Sequence, residues 1–164
     1  MSLSTDRPRV VFDCNILLQA ISNDAGPAGQ SLGLLQKNLI EVSVSRAVMK
    51  ELRAVLQYPT VRQKLPGLNA ELVDSFLQQF SFRATYVRRV RHVFDCPRAR
   101  QDEPYIDVAA AAKANFLVSR DSDLLSLASD RSVLGKQFRQ RYPYLRVINP
   151  VAFLAAVTSS EGQR

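Results

Sequence analysis

The stretch DEPYIDVAAAAKANFLVSRDSDLLSL, residues 102–127, decides the fold. Pro104 suits the first turn of a helix, where its missing N–H would have no partner in any case. From Pro104 to Ala114 the residues are apolar almost all round, which predicts a buried helix. FLVS (116–119) then makes a short continuous apolar run, the pattern of a strand covered on both faces. Ser122 or Asp123 opens a further short helix. Helix, buried strand and helix in so short a span point to a parallel sheet with helices packed on it.

The rest of the chain repeats that alternation. RVVFD ends its apolar run on Asp13 and reads as a first buried strand. A helix is expected from about Pro27 to Lys37, and LIEVSVS (39–45) alternates as a strand. Ser45 caps a helix to about Gln57, which Tyr58-Pro59 stops, and Asn69 caps another to about Phe82. Residues 84–90 offer a strand, followed by an irregular arginine-rich stretch to about Asp102. After a basic segment without clear pattern, LRVIN (145–149) is a last strand and PVAFLAAV a closing helix, with TSSEGQR as a frayed tail. The expected fold is α/β, one parallel sheet covered on both faces. In such sheets ligands bind beyond the carboxyl ends of the strands, where Asp13 and Asp121 both fall.

Twenty-two Lys and Arg against 15 Asp and Glu give the 164 residues a net charge of +7. The excess is mostly arginine, whose planar fork matches phosphate, so a polyanionic partner is favoured over a membrane. No window approaches the roughly 18–20 apolar residues of a membrane span. The first ten residues lack the apolar stretch of a signal peptide, which makes the cytoplasm the expected compartment. Cys14 and Cys96 belong to no CxxC or Cys/His zinc spacing and are expected as free thiols.

In so basic a chain the acids need separate explanations. Asp13, or Asn15 beside it, can cap a helix beginning near Ile16, or Asp13 can turn its carboxylate to a site at the strand end. Glu51 lies on the border of the Val48, Leu52, Val55 and Leu56 stripe, where a partly desolvated carboxylate needs a cation or hydrogen-bond donors. The alternative is pairing with a surface arginine. Asp102, Glu103 and Asp107 gather at the start of an apolar helix, Glu103 and Asp107 on one face; their number exceeds what capping requires. Asp121 ends a strand, and Asp123 is the natural cap of the helix after it.

Converging carboxylates repel one another unless they take up protons or a cation. Magnesium or manganese favours an oxygen-only site and can polarise a phosphodiester and lower the pKa of an attacking water. The lone His92 lies in a basic stretch, and no serine or cysteine has a motif-based partner base, so a nucleophilic triad is disfavoured. A phospho-acceptor domain would need an acid pair after the first strand, which DCN does not supply. No GxGxxG follows any strand, which removes dinucleotide binding.

VVFDCNILLQA, VSRAVMKELRAVLQYPTV, DEPYIDVAAAAKANFLVSRDSDLLSL and RVINPVAFL together resemble the PIN-domain nucleases, especially the VapC-like toxin components of bacterial toxin–antitoxin pairs. The likeness covers residues 9 to 157 and implies a single PIN-like domain, a three-layer α/β/α sandwich with frayed termini. It implies cleavage of single-stranded RNA with Mg²⁺ or Mn²⁺, restraint by an antitoxin protein, and a homodimer. Carried onto matching positions, the catalytic and metal-holding acids are Asp13, Glu51, Glu103 and Asp121, with Asn15, Ser119, Asp102 and Asp123 in support. The chain departs from the family where CPRARQDE leads into the third acid. There Glu103 is preferred to Asp102 for its spacing to Asp121 and its place ahead of YIDVAAAA. Arg120 stands where close relatives often carry glycine and adds positive charge at the mouth. A protein that keeps the fold as an RNA- or partner-binding regulatory module is the alternative function.

Six arginines lie between Arg83 and Arg100, against one acid, Asp95. Arg88, Arg89 and Arg91 are the expected RNA contacts there, together with Arg120. KQFRQRYPY (136–144) interleaves cations with Phe138, Tyr142 and Tyr144, which either stack on bases or turn into the core.

Overall fold

The computed structural model describes residues 6–161, with side chains to residue 159. Five strands form one sheet: β1 (Arg9–Phe12), β2 (Glu41–Val44), β3 (Thr85–Tyr86), β4 (Phe116–Val118) and β5 (Arg146–Ile148). Their spatial order is β3-β2-β1-β4-β5 and every neighbouring pair is parallel. All carboxyl ends therefore lie along one rim.

Side chains alternate across the pleat, so β1 feeds two separate cores. Val10 and Phe12 join the cluster built with α1 (Cys14–Ser22), α2 (Pro27–Gln36), α5 (Ala70–Arg83) and α9 (Pro150–Glu161). Val11 joins the opposite cluster, with α6 (Glu103–Ala112), α7 (Ser122–Leu125) and α8 (Val133–Arg141). The helix α3 (Arg46–Val55) serves both: Met49 and Leu52 pack on the first side, Val48 on the second. The three-layer α/β/α sandwich expected from the sequence is the fold observed.

Several elements differ from the sequence expectation. The strand expected at 84–90 is only Thr85–Tyr86; after a last backbone bond from Val87 N to Val44 O, the side chains of Asp107 and Glu103 hold the chain at Val93 N and Cys96 N. Tyr58-Pro59 does stop α3, but Pro59 at once starts α4 (Pro59–Lys64). The basic segment without pattern forms α8, capped by Ser132 through Gly135 N at 3.0 Å. Gly135 is required there, since a Cβ would lie 2.2 Å from Ser129 O. Of that segment's aromatics, Phe138 and Tyr142 are buried beside Phe94, and only Tyr144 stays exposed. The tail expected to fray is helical as far as Glu161, with residues 162–164 and the amino-terminal 1–5 outside the described residues. Asn149 caps that last helix through Ala152 N, and Phe153 wedges edge-on between Phe12 and Phe116.

Candidate active site

Asp13 and Asp121 follow β1 and β4, adjacent parallel strands, and so meet at the carboxyl rim. Asp13 was read as either a helix cap or a site residue and is placed to do both; so is Asp121, which takes the cap of α7 that the sequence reading gave to Asp123. Asp13 Oδ1 accepts from Ile16 N at 3.0 Å and caps α1, while Oδ2 accepts from the hydroxyl of Ser119. Asp121 Oδ1 accepts from Asp123 N at 2.8 Å and Leu124 N at 3.3 Å, which starts α7 without using Oδ2. Ser119 is fully buried and couples the two: its Oγ also accepts from Asp121 N at 3.0 Å. Burial raises the pKa of Asp13; the bonds from Ser119 and Ile16 oppose that shift, and the charge of Asp121 adds to it.

Glu51 reaches the rim from α3, and its Oε2 accepts a hydrogen bond from the hydroxyl of Tyr105, on α6, at 3.0 Å. The donor expected for this half-buried carboxylate is thus a tyrosine, not a surface arginine. Burial lifts the Tyr105 hydroxyl far above its usual range, and the charges of Cys14, Glu51 and Asp13 reinforce the shift. Cys14 lies beside them; burial and the charges of Glu51 and Asp13 push its thiol up to about 12. It is a protonated, inert thiol rather than a nucleophile. Both cysteines are free.

The acids before α6 divide differently from the sequence expectation. Asp102 stands at the cap position of α6 yet makes no side-chain cap bond. Its carboxyl turns to the rim, where burial, then the charges of Asp121 and Asp13, raise its pKa to about 7; a shared hydrogen bond with Asp121 and the charge of Glu51 add to this. Its Oδ2 is buried and without a hydrogen-bond partner. Glu103 points elsewhere, with Oε2 accepting from Cys96 N at 3.2 Å and lying 3.8 Å from His92 Nε2. Helical periodicity puts Glu103 on the face of Asp107 and Asp102 on that of Tyr105, and the packing of the 92–96 segment against Glu103 leaves Asp102 to face the rim. The acid brought to Asp13, Glu51 and Asp121 is Asp102, and Glu103, preferred on spacing, is not brought there.

His92, read from the sequence as one member of a basic stretch, is surrounded by acids. Nδ1 lies 3.1 Å from Asp107 Oδ2 and Nε2 lies 2.7 Å from Asp95 Oδ1. These two bonds raise its pKa to about 9, against partial desolvation. Asp107, buried, also accepts from Val93 N at 2.9 Å, and Arg141 donates to Val93 O at 2.6 Å. The pairing of Asp107 with His92 was not legible because His92 lies in an irregular segment with no periodicity to read.

Two groups of donors could hold a cation. His92, Asp95 and Glu103 offer one atom each, all within 4.8 Å of one another. Protonated His92 already supplies a positive charge there. The rim acids form an all-oxygen set with one orphaned buried oxygen, which suits a hard divalent ion that keeps several of its waters. Asn15 and Arg120 are exposed at this end, and Arg120 Nε donates to Gln19 Oε1 at 2.8 Å. Asp123 is half-buried in the first turn of α7, and Arg88, Arg89 and Arg91 are exposed on the irregular segment. Among the described residues no helix is long and apolar enough to cross a membrane.

Comparison with known proteins agrees with this geometry. The chain is 27% identical over 146 residues to the uncharacterized protein MJ1680 of Methanocaldococcus jannaschii, an alignment covering 89% of each chain. Residues 9–123 match the family model described as PIN domain, a span that holds β1 to β4 and all the rim acids. The chain therefore belongs to the PIN-domain family, whose members are in general metal-dependent nucleases.

Proposed function

We propose that this protein is a metal-dependent endoribonuclease that cuts single-stranded RNA, with Asp13, Glu51, Asp102 and Asp121 holding Mg²⁺ or Mn²⁺. The observation that carries this reading is the buried, unpartnered Oδ2 of Asp102 among the charges of Asp121, Asp13 and Glu51. Held by these four carboxylates, a divalent cation would relieve their repulsion and would supply the polarisation of a phosphodiester and the lowered pKa of an attacking water.

The chain's own residues supply the rest. Ser119 ties the Asp13 carboxylate to the backbone of Asp121 and so helps fix the directions of both acids. Tyr105 satisfies one oxygen of Glu51 and leaves the other free to bind. Two helix caps use one oxygen each of Asp13 and Asp121, which locks their side chains at little entropic cost. Arg120, exposed beside the rim, supplies positive charge for a phosphate backbone. Glu103 in this reading anchors the 92–96 segment and binds no metal. Asn15 and Asp123 shape the mouth, and Arg88, Arg89 and Arg91 attract the strand.

The order and spacing of the four motifs also support a toxin held in check by an antitoxin protein and acting as a homodimer. The decisive experiment is cleavage of single-stranded RNA with Mg²⁺ or Mn²⁺, wild type beside Asp13→Asn. Metal-dependent cutting that Asp13→Asn abolishes is expected; equal activity in both, or none in the wild type with either metal, rejects the nuclease. For the toxin role, induced expression should arrest growth, and co-expression of a neighbouring small gene should relieve it.

A further inference from the structure

The helix that carries Glu51 to the rim turns a different face to solvent. Arg46, Lys50 and Arg53 fall at intervals of four and three along α3, so they form one exposed stripe. Arg46 opens that helix directly after β2, at the same carboxyl rim as the acids. Two hollows flank the stripe and share Arg53. One, of about 360 Å³, lies between Arg46, Lys50, Arg53 and Tyr86. The other, of about 850 Å³, continues between α3 and α5 past Asp74 to Phe82.

Both aromatics are open: Tyr86 is 42% exposed and Phe82 is 88% exposed. An apolar ring so exposed loses hydration free energy unless something covers it. The covering group must also accept three cations, with Asp74 as the acid in the hollow. A second copy of the chain would bring the same cations against themselves in a two-fold interface, and like charges in contact repel. A single-stranded polynucleotide meets both demands, with phosphates along the cations and unpaired bases on the rings.

We infer that the outer face of α3 with the adjoining edge of α5, from Arg46 to Phe82, is a second binding tract for single-stranded nucleic acid, which extends the strand away from the acidic rim. This rests on the nuclease reading for its biological use, but it is tested without turnover. A fluorescein-labelled oligouridine is titrated with the full chain in EDTA, and anisotropy is followed across a salt series. Lys50→Glu/Arg53→Glu should weaken binding about tenfold or more and make the salt dependence shallower by roughly two counterions. Phe82→Ser should weaken binding about fivefold with the salt slope retained, as for a lost stacking contact.

Unchanged affinity in both variants, with melting curves matching wild type, overturns the tract. So does a wild-type dimer that Phe82→Ser splits while oligouridine affinity stays the same, since the face then serves self-association. If the charge reversals fail to fold, Lys50→Gln/Arg53→Gln gives the same comparison, and an unchanged salt slope there overturns it equally. Failure of the nuclease reading would show separately, as wild-type RNA left uncut with metal.

Discussion

Tyr105 donates its phenolic hydrogen to Oε2 of Glu51 at 3.0 Å, joining two helices that are 54 positions apart in the chain. The bond gives a half-buried glutamate on the edge of an apolar stripe a hydrogen-bond donor. It also makes Tyr105 a positioning residue for the rim. Tyr105→Phe keeps the ring and its packing but removes the donor. Loss of about 1 kcal/mol of stability is expected, with metal-dependent RNA cleavage down roughly tenfold. Thermal melting and initial rates in Mn²⁺ check the two halves separately.

Ser119 fixes the Asp13 carboxylate and takes the N–H of Asp121, with no exposure to water. Ser119→Ala should therefore raise the pKa of Asp13 further and weaken divalent-ion affinity, while the cap on Ile16 N survives. Titrating Mn²⁺ against thermal stability should show a right-shifted curve. An unshifted curve would mean that Ser119 has no part in positioning the metal-holding acids.

Asp102 gives the metal-free protein an unusual pH response. Its folded-state pKa is about 7 against 3.8 for the free side chain. Between those values the folded state holds a proton that the unfolded state has lost, so stability falls as pH rises from about 4 to about 7. Divalent metal should accordingly raise the melting temperature more at pH 8 than at pH 5. Asp102→Asn should stabilise the metal-free protein at pH 8 and reduce the gain from Mn²⁺. Glu103→Gln should leave that gain nearly intact, and the opposite ranking would return the third ligand to Glu103.

His92 has the same sign in a higher pH window. Its pKa is raised from 6.5 to about 9, chiefly by the bonds to Asp95 and Asp107. Its contribution is fully present below pH 6.5 and is lost as pH rises through about 9. His92→Gln should flatten the fall in stability between those values, as read from urea melts at fixed ionic strength. The window overlaps the Asp102 window only between pH 6.5 and about 7, so the two residues can be told apart.

Gly135 lets the first turn of α8 pass against Ser129 O, where a Cβ would come within 2.2 Å. Gly135→Ala must push backbone away from backbone and is expected to cost roughly 1–3 kcal/mol. A melting temperature equal to wild type would show that the helix can shift without strain.

The sequence by itself determined the layers and the rim. Apolar runs such as RVVF and FLV read as strands covered on both faces, and strands alternating with helices form one parallel sheet whose carboxyl rim carries Asp13 and Asp121. Glu51 was legible too, because helical periodicity places it on the edge of an apolar stripe. Segments without periodicity resisted reading: α8 is stitched by Ser132, Gly135 and buried aromatics, and the 87–99 segment by Asp107, Glu103 and Arg141. The tertiary structure alone decided between Asp102 and Glu103. They are neighbours in the chain, but the approach of the 92–96 segment gives Glu103 the Cys96 N–H and the side of His92, and leaves Asp102 facing the other acids. Local spacing sets the angle between two adjacent side chains; only long-range packing sets which of them points at the site.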